Sequence, residues 1–215
     1  MSRILLSLLI IFFFYSASAQ FNKGNILLGG NLSYGSSKST SPPNPDEQKS
    51  NSGNIDISLG KAIKENALFG VNISYGGFSN MLGASVSPSK ATSYNYGLGV
   101  FYRVYKDLGK EFYLFGQAGT GFNGSSYSST DSAGNKLSNG TAYGGSIYIS
   151  PGIAYKISKK FFLELSIPQI FSVSYSNSNS KSGSVSTGSG DNFGVSANFI
   201  SNPLNYLGVG FRLIL

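Results

Sequence analysis

The stretch Tyr206 to Leu215, YLGVGFRLIL, decides the fold. Leu207, Val209, Phe211, Leu213 and Leu215 share one parity; Gly208, Gly210, Arg212 and Ile214 share the other. Strict alternation with a period of two is a strand with one apolar face. An open sheet edge that apolar invites aggregation. Pairing back onto the first strand removes the edge, so the expectation is a closed barrel whose oily face points outward.

Working outward, the same alternation recurs in seven further segments, at about 25–35, 53–62, 67–76, 93–105, 111–122, 141–156 and 161–175, with the last segment covering 191–215. Asn202-Pro203 in that last segment marks an expected bulge or bend, since proline cannot donate to a ladder. Short turns at Lys64-Glu65-Asn66, Asp107-Leu108-Gly109 and Ser158-Lys159-Lys160 alternate with long polar connections at 36–52, 77–92, 123–140 and 176–190. The long connections are tracts of Ser, Asn and Gly and read as flexible loops. Eight antiparallel strands with short turns at one end and long connections at the other give an all-β, eight-stranded, transmembrane up-and-down barrel. Segments of about ten residues are long enough to cross a bilayer when tilted. Closure satisfies every backbone donor and acceptor, as a water-free core demands.

Aromatic placement supports the same reading. Tyr34, Tyr75, Tyr94, Phe122, Tyr143, Tyr175 and Phe193 fall at the long-connection ends of their strands with outward parity. Phe69, Tyr102, Phe112, Tyr155, Phe161 and Phe211 sit at the short-turn ends. Two girdles of amphipathic rings are what two membrane–water interfaces select. A soluble lipocalin-type barrel turns its apolar residues inward instead. Inward parity here collects bulky Phe101, Tyr113, Phe115, Tyr148 and Phe162 with small Gly97, Gly99, Gly119, Gly121 and Gly208, the mixture by which an eight-stranded barrel fills its own interior.

The first nineteen residues read as a cleaved signal peptide. Arg3 supplies the positive start, Ile4 to Tyr15 an apolar core too short to span as a helix, and Ala17-Ser18-Ala19 the small-residue cleavage site. Residues 20–215 form one barrel domain. Export plus a barrel places the chain in the outer membrane of a diderm, Gram-negative bacterium. Without Arg3 the 16 Lys+Arg become 15 against 9 Asp+Glu, a net charge of +6. The charges are scattered over turns and loops rather than gathered in a stripe, so nucleic acid is not expected as a partner. With no cysteine in the chain, no disulfide supports the fold.

The signal ending SASAQ, the strand YLFGQAGTGF (113–122), the strand GGSIYISPGIAYKI (144–157) and the closing LGVGFRLIL carry a family resemblance. The mature chain resembles the small outer-membrane β-barrel proteins of OmpA and OmpX type, and is most similar to the outer-membrane β-barrel domain proteins of Bacteroidota. The resemblance implies outer-membrane lipids as surroundings and the barrel assembly machinery as a partner during biogenesis. Family members end on an aromatic residue as the assembly signal. Here Leu215 stands in that place, with Phe211 and Leu213 keeping the pattern.

The absence of histidine limits the chemistry. The enzymes that share this architecture rely on a His as general base or to activate Ser or water, and zinc sites need His or Cys. No catalytic residue, metal site or cofactor is expected. Gly119-Thr120-Gly121-Phe122-Asn123-Gly124 matches a dinucleotide-binding fingerprint in letters, but it leads from a strand into a Ser-rich connection instead of a helix. Asp46-Glu47 falls short of the oxygen ligands calcium takes.

Four charged side chains lie well inside strands with inward parity: Asp56, Arg103, Glu164 and Arg212. Two cations and two anions form a neutral set, which an enclosed core requires. The expectation is a Glu164–Arg212 ion pair, with Arg103 reaching Glu164 or Asp56, acting as a structural plug. The function these features predict is a non-enzymatic barrel with a side-chain-filled lumen, acting structurally or through its long loops on an extracellular ligand or surface protein. A small diffusion pore or transport accessory barrel is the alternative.

Overall fold

The computed structural model describes residues 22–41, 44–82, 89–131, 133–167, 169–182, 185–197 and 207–215. The expected signal peptide (1–19) and the bend expected at Asn202-Pro203 lie outside them. Alternating apolar and polar residues produce strands β1 (Ile26–Ser41), β2 (Asn44–Lys64), β3 (Ala67–Leu82), β4 (Ser89–Gly109), β5 (Phe112–Thr130), β6 (Lys136–Lys156), β7 (Phe161–Ser166), β8 (Phe171–Ser182), β9 (Val185–Ala197) and β10 (Gly208–Ile214). All pairings are antiparallel, and each of β1 to β6 pairs with its successor in the chain. The ring closes where β10 pairs with β7 on one side and β1 on the other, from Leu27↔Ile214 to Leu32↔Val209. β7 and β8 follow one another along β6 as one stave, and β10 and β9, paired to β7 and β8, form the next, so the wall has eight staves.

Strand seven is broken where a continuous run over 161–175 is expected. β7 stops at Ser166 and β8 starts at Phe171. Two prolines bear on it: Pro168 stands in the gap in sequence and cannot donate to a ladder, and Pro151 faces the gap from the neighbouring strand. Pro151 of β6 accepts a hydrogen bond from Ile167 N, 3.0 Å, so its missing N–H lies on the same side, facing this segment. The chain leaves the ladder there, Gln169 takes a φ of 51°, and its N–H turns to Ser150 Oγ at 2.9 Å. A second difference is the reversal after β4, which lies at Gly109, Lys110 and Glu111 (φ 82°, 52° and 66°) rather than at 107–109. Asp107 Oδ1 accepts the Gly109 N–H at 2.6 Å, at the point where the β4–β5 register shifts between Asp107 and Gly109.

The larger correction concerns the long connections. The tracts read as flexible loops are mostly strand. The β1–β2 ladder continues to Thr40↔Glu47, β3–β4 to Leu82↔Ser89, β4–β5 to Lys90↔Thr130 and β8–β9 to Ser182↔Val185. β2, β4 and β6 are each 21 residues long, about twice the 9–11 that cross a bilayer. Ser and Asn have weak strand propensity alone, but sheet context overrides it. Here each tract extends a ladder already fixed by the wall below. Polar cross-strand pairs add to it: Ser36 Oγ to Asn51 Oδ1 at 2.9 Å, Thr92 Oγ1 with Ser128 Oγ at 3.0 Å, and Asn177 Nδ2 to Asp191 Oδ1 at 2.9 Å. Asp131 caps the β5–β6 reversal, accepting from the N–H groups of Ala133 and Asn135 and from Asn135 Nδ2. These donors, Asn135's side chain first, hold its carboxyl below the usual range.

Candidate functional site in the barrel lumen

The two faces of the wall differ as the alternation requires. Outward residues such as Leu32, Ile73, Leu98, Ile147 and Val209 are exposed. All the girdle rings lie on this face: Tyr34, Tyr75, Tyr94, Phe122, Tyr143, Tyr175 and Phe193 at one level, Phe69, Tyr102, Phe112, Tyr155 and Phe211 at the other, all exposed, with Phe161 half-buried. Neighbouring rings pair along each belt, Phe122 stacking on Tyr143 at 6.3 Å and Phe161 on Phe211 at 6.1 Å. At the chain end, Phe211 and Leu215 are exposed and Leu213 is half-buried.

Inside, the half of the lumen nearer the short turns is filled. Leu27, Leu68, Tyr105, Tyr113, Phe115, Ala154 and Phe162 pack into one apolar cluster. Above it lies a charged layer. Arg103, Glu164 and Arg212 are 7%, 4% and 3% exposed. Glu164 lies on β7, Arg212 beside it on β10 and Arg103 across the barrel on β4. Arg103 Nη1 donates to both Glu164 oxygens, at 2.8 and 2.7 Å. Arg212 Nε donates to Oε1 at 3.0 Å and Nη2 to Oε2 at 3.4 Å. One carboxylate therefore binds two guanidinium groups, a charge-assisted arrangement stronger than neutral hydrogen bonding.

Neighbouring side chains complete the layer. Tyr105 Oη accepts from Arg103 Nη1 at 3.0 Å and donates to Glu164 Oε1 at 2.8 Å. Gln117 Oε1 accepts from Arg103 Nε at 2.9 Å and Nη2 at 2.7 Å. Arg212 Nη1 reaches Ser58 Oγ at 3.5 Å. The Arg103 guanidinium carbon lies 4.2 Å from the centre of the Phe115 ring, a cation–π contact. Gly29 makes room for Arg212. A Cβ there would meet Ser58 Oγ at 2.7 Å and Arg212 Nη1 at 2.8 Å.

Of the four charged residues singled out in the sequence, three meet. Asp56 stands apart, half-buried higher in the wall, and its Oδ2 accepts from Asn72 Nδ2 at 2.7 Å. Tyr105 and Gln117 were not foreseen as members of the layer. The signal available was inward parity, two residues on from Arg103 in one case and register with it in the other, Arg103↔Gln117.

The interior expected to be filled by side chains is filled only in this half. Toward the long connections the lumen holds a chamber of about 560 Å³, walled by Asn54, Asn72, Ser74, Ser146, Tyr148 and their neighbours, with Arg103 and Gln117 at its floor. No group of three His, Cys, Asp or Glu suited to a metal occurs among the described residues.

A closed antiparallel wall, aliphatic outside, polar and charged inside, with aromatic bands at two levels, is a β-barrel of the outer-membrane class. Among solved structures the chain is similar to Neisserial surface protein A, at 16% identity and TM-score 0.45 over 90% of this chain and 98% of that one. It is similar to the attachment invasion locus protein Ail of Yersinia pestis, at 15% identity and TM-score 0.34 over 89% and 99%. A major outer membrane protein of Thermus thermophilus is similar at 11% identity and TM-score 0.42, over 89% and 99%. Identities this low carry no residue's role across. No protein-family model and no curated protein matches the chain.

Proposed function

We propose that this protein is a non-enzymatic barrel of the diderm outer membrane. It serves as a rigid wall element whose strand extensions and lumen face the cell exterior, meeting an extracellular ligand or surface protein there. The observation that carries this reading is the continuous layer across the lumen. Tyr105, Tyr113, Phe115, Phe162 and the Arg103–Glu164–Arg212 cluster leave the short-turn half without the water-filled path a pore requires. The chemistry of the interior agrees. Glu164 is held by two cations and the chain has no His, so no lumen serine has an imidazole base beside it. The diffusion-pore reading loses support from the same layer.

Planar-bilayer recording of the purified protein tests this. The wild-type barrel is expected to give no resolved conductance steps above the lipid baseline. Reproducible ion-conducting steps from properly folded barrels would overturn the blocked-lumen reading.

A further inference from the structure

The chamber above the charged layer has the make-up of a binding site. Its volume, about 560 Å³, falls within the roughly 300–1,000 Å³ typical of small-molecule sites. It is reached from the long-connection end, where Asn95 and Asn123 have inward parity and are exposed. The other end is blocked by the buried layer.

Its lining is rich in uncommitted polar groups. Asn54, Ser74, Asn123 and Ser146 line it and make no side-chain hydrogen bond among the described residues. Tyr148 Oη accepts from Gln117 Nε2 at 3.1 Å, which leaves the phenolic proton for the chamber. Hydroxyls and amides offer donors and acceptors together, the complement of a polyhydroxylated molecule.

The two charged groups at the chamber differ in what they have left to offer. The Arg103 guanidinium is engaged by Glu164, Tyr105 and Gln117. Asp56 has its Oδ2 on Asn72, while Oδ1 has no hydrogen bond among the described residues. Asp56 balances the one excess positive charge of the layer below, and its open Oδ1 is the charged acceptor among the chamber's lining residues, the group an ammonium would take. A bare metal ion is a poor match, since calcium takes about 6–8 oxygen ligands and no suitable cluster exists among the described residues. An ammonium needs only a few acceptors.

We propose that the chamber binds a small polyhydroxylated amine of the amino-sugar class. Its ammonium sits at Asp56 Oδ1 and its hydroxyls are shared among Asn54, Asn123 and Tyr148. This goes beyond the proposed function, and of that reading it uses only the blocked floor.

The test is titration of the purified protein in detergent with D-glucosamine, D-glucose and ethylammonium, read by calorimetry and by chemical-shift change. Glucosamine is expected to bind saturably, and glucose and ethylammonium about tenfold or more weakly. That is the loss expected for a charge-assisted hydrogen bond or for the hydroxyl contacts, respectively. Asp56→Asn is expected to bring glucosamine down to the glucose level. Asn123→Leu at the exposed mouth, which touches no part of the buried layer, is expected to weaken both sugars together. Absence of saturable glucosamine binding, or full affinity in either folded variant, overturns the proposal. Conductance of the same preparation separates the two readings. A silent barrel that binds no amine refutes the chamber alone, whereas a conducting barrel that still binds glucosamine saturably refutes the blocked lumen alone, and one that conducts and binds no amine refutes both.

Discussion

Glu164 holds two buried cations at once, and the consequences of losing it are unequal. Glu164→Gln leaves Arg103 with Tyr105 and Gln117 but leaves Arg212 with little beyond Ser58. Stranding a buried charge typically costs about 3–5 kcal/mol, so a clear fall in unfolding temperature is expected in detergent. Adding Arg212→Met removes the stranded charge and is expected to recover part of the loss. A double variant no more stable than the single one would contradict the shared-carboxylate account. The layer was partly legible in the sequence, because a charge inside a lipid-spanning strand must face inward and only four residues met that condition. Which of them touch was not legible. Asp56 has the same parity as the others, yet its height in the wall gives it Asn72 as partner, and height depends on strand register. Tyr105 and Gln117 were hidden for the same reason, being ordinary inward residues until the pairing Arg103↔Gln117 is known.

At the level of the elements, strand existence and facing followed from the period-two pattern, which reads the same wherever apolar residues alternate with small ones. Strand ends did not follow. Above the aromatic level the outward residues become Ser, Thr and Asn, and alternation loses its contrast although the ladder continues from Tyr94↔Ser126 to Lys90↔Thr130. The break after Ser166 had one legible signal, Pro168 within the run, whereas the second missing donor, Pro151, lies on the adjacent strand and shows only once the pairing is known. Hydrogen exchange distinguishes extensions from loops. Ladder amides over 49–53, 78–81 and 125–129 are expected to exchange orders of magnitude more slowly than unstructured amides, at rates set by opening of the hairpins. Exchange at the unstructured rate across these stretches would return them to mobile loops.

Taken whole, the barrel is asymmetric end to end, with short turns and a filled lumen below, long hairpins and an open chamber above. Short turns are periplasmic in this architecture, so a cysteine placed at Lys159 is expected to resist an impermeant thiol reagent on intact cells and to react once the envelope is opened. Labelling on intact cells would reverse the orientation. Lys156 at the same end bridges to Glu111 at 3.5 Å, while Lys159 and Lys160 are exposed in the turn. All of this depends on one assignment, that odd-numbered residues of strands such as β3 face lipid and even-numbered ones face the lumen. Nitroxide labels placed singly from Phe69 to Tyr75, in protein reconstituted into lipid vesicles, measure it most directly. The account predicts that labels at Phe69, Val71, Ile73 and Tyr75 collide with dissolved oxygen far more than those at Gly70, Asn72 and Ser74, with a period of two. Uniform accessibility along the strand, or the opposite alternation, would contradict a lipid-facing barrel wall.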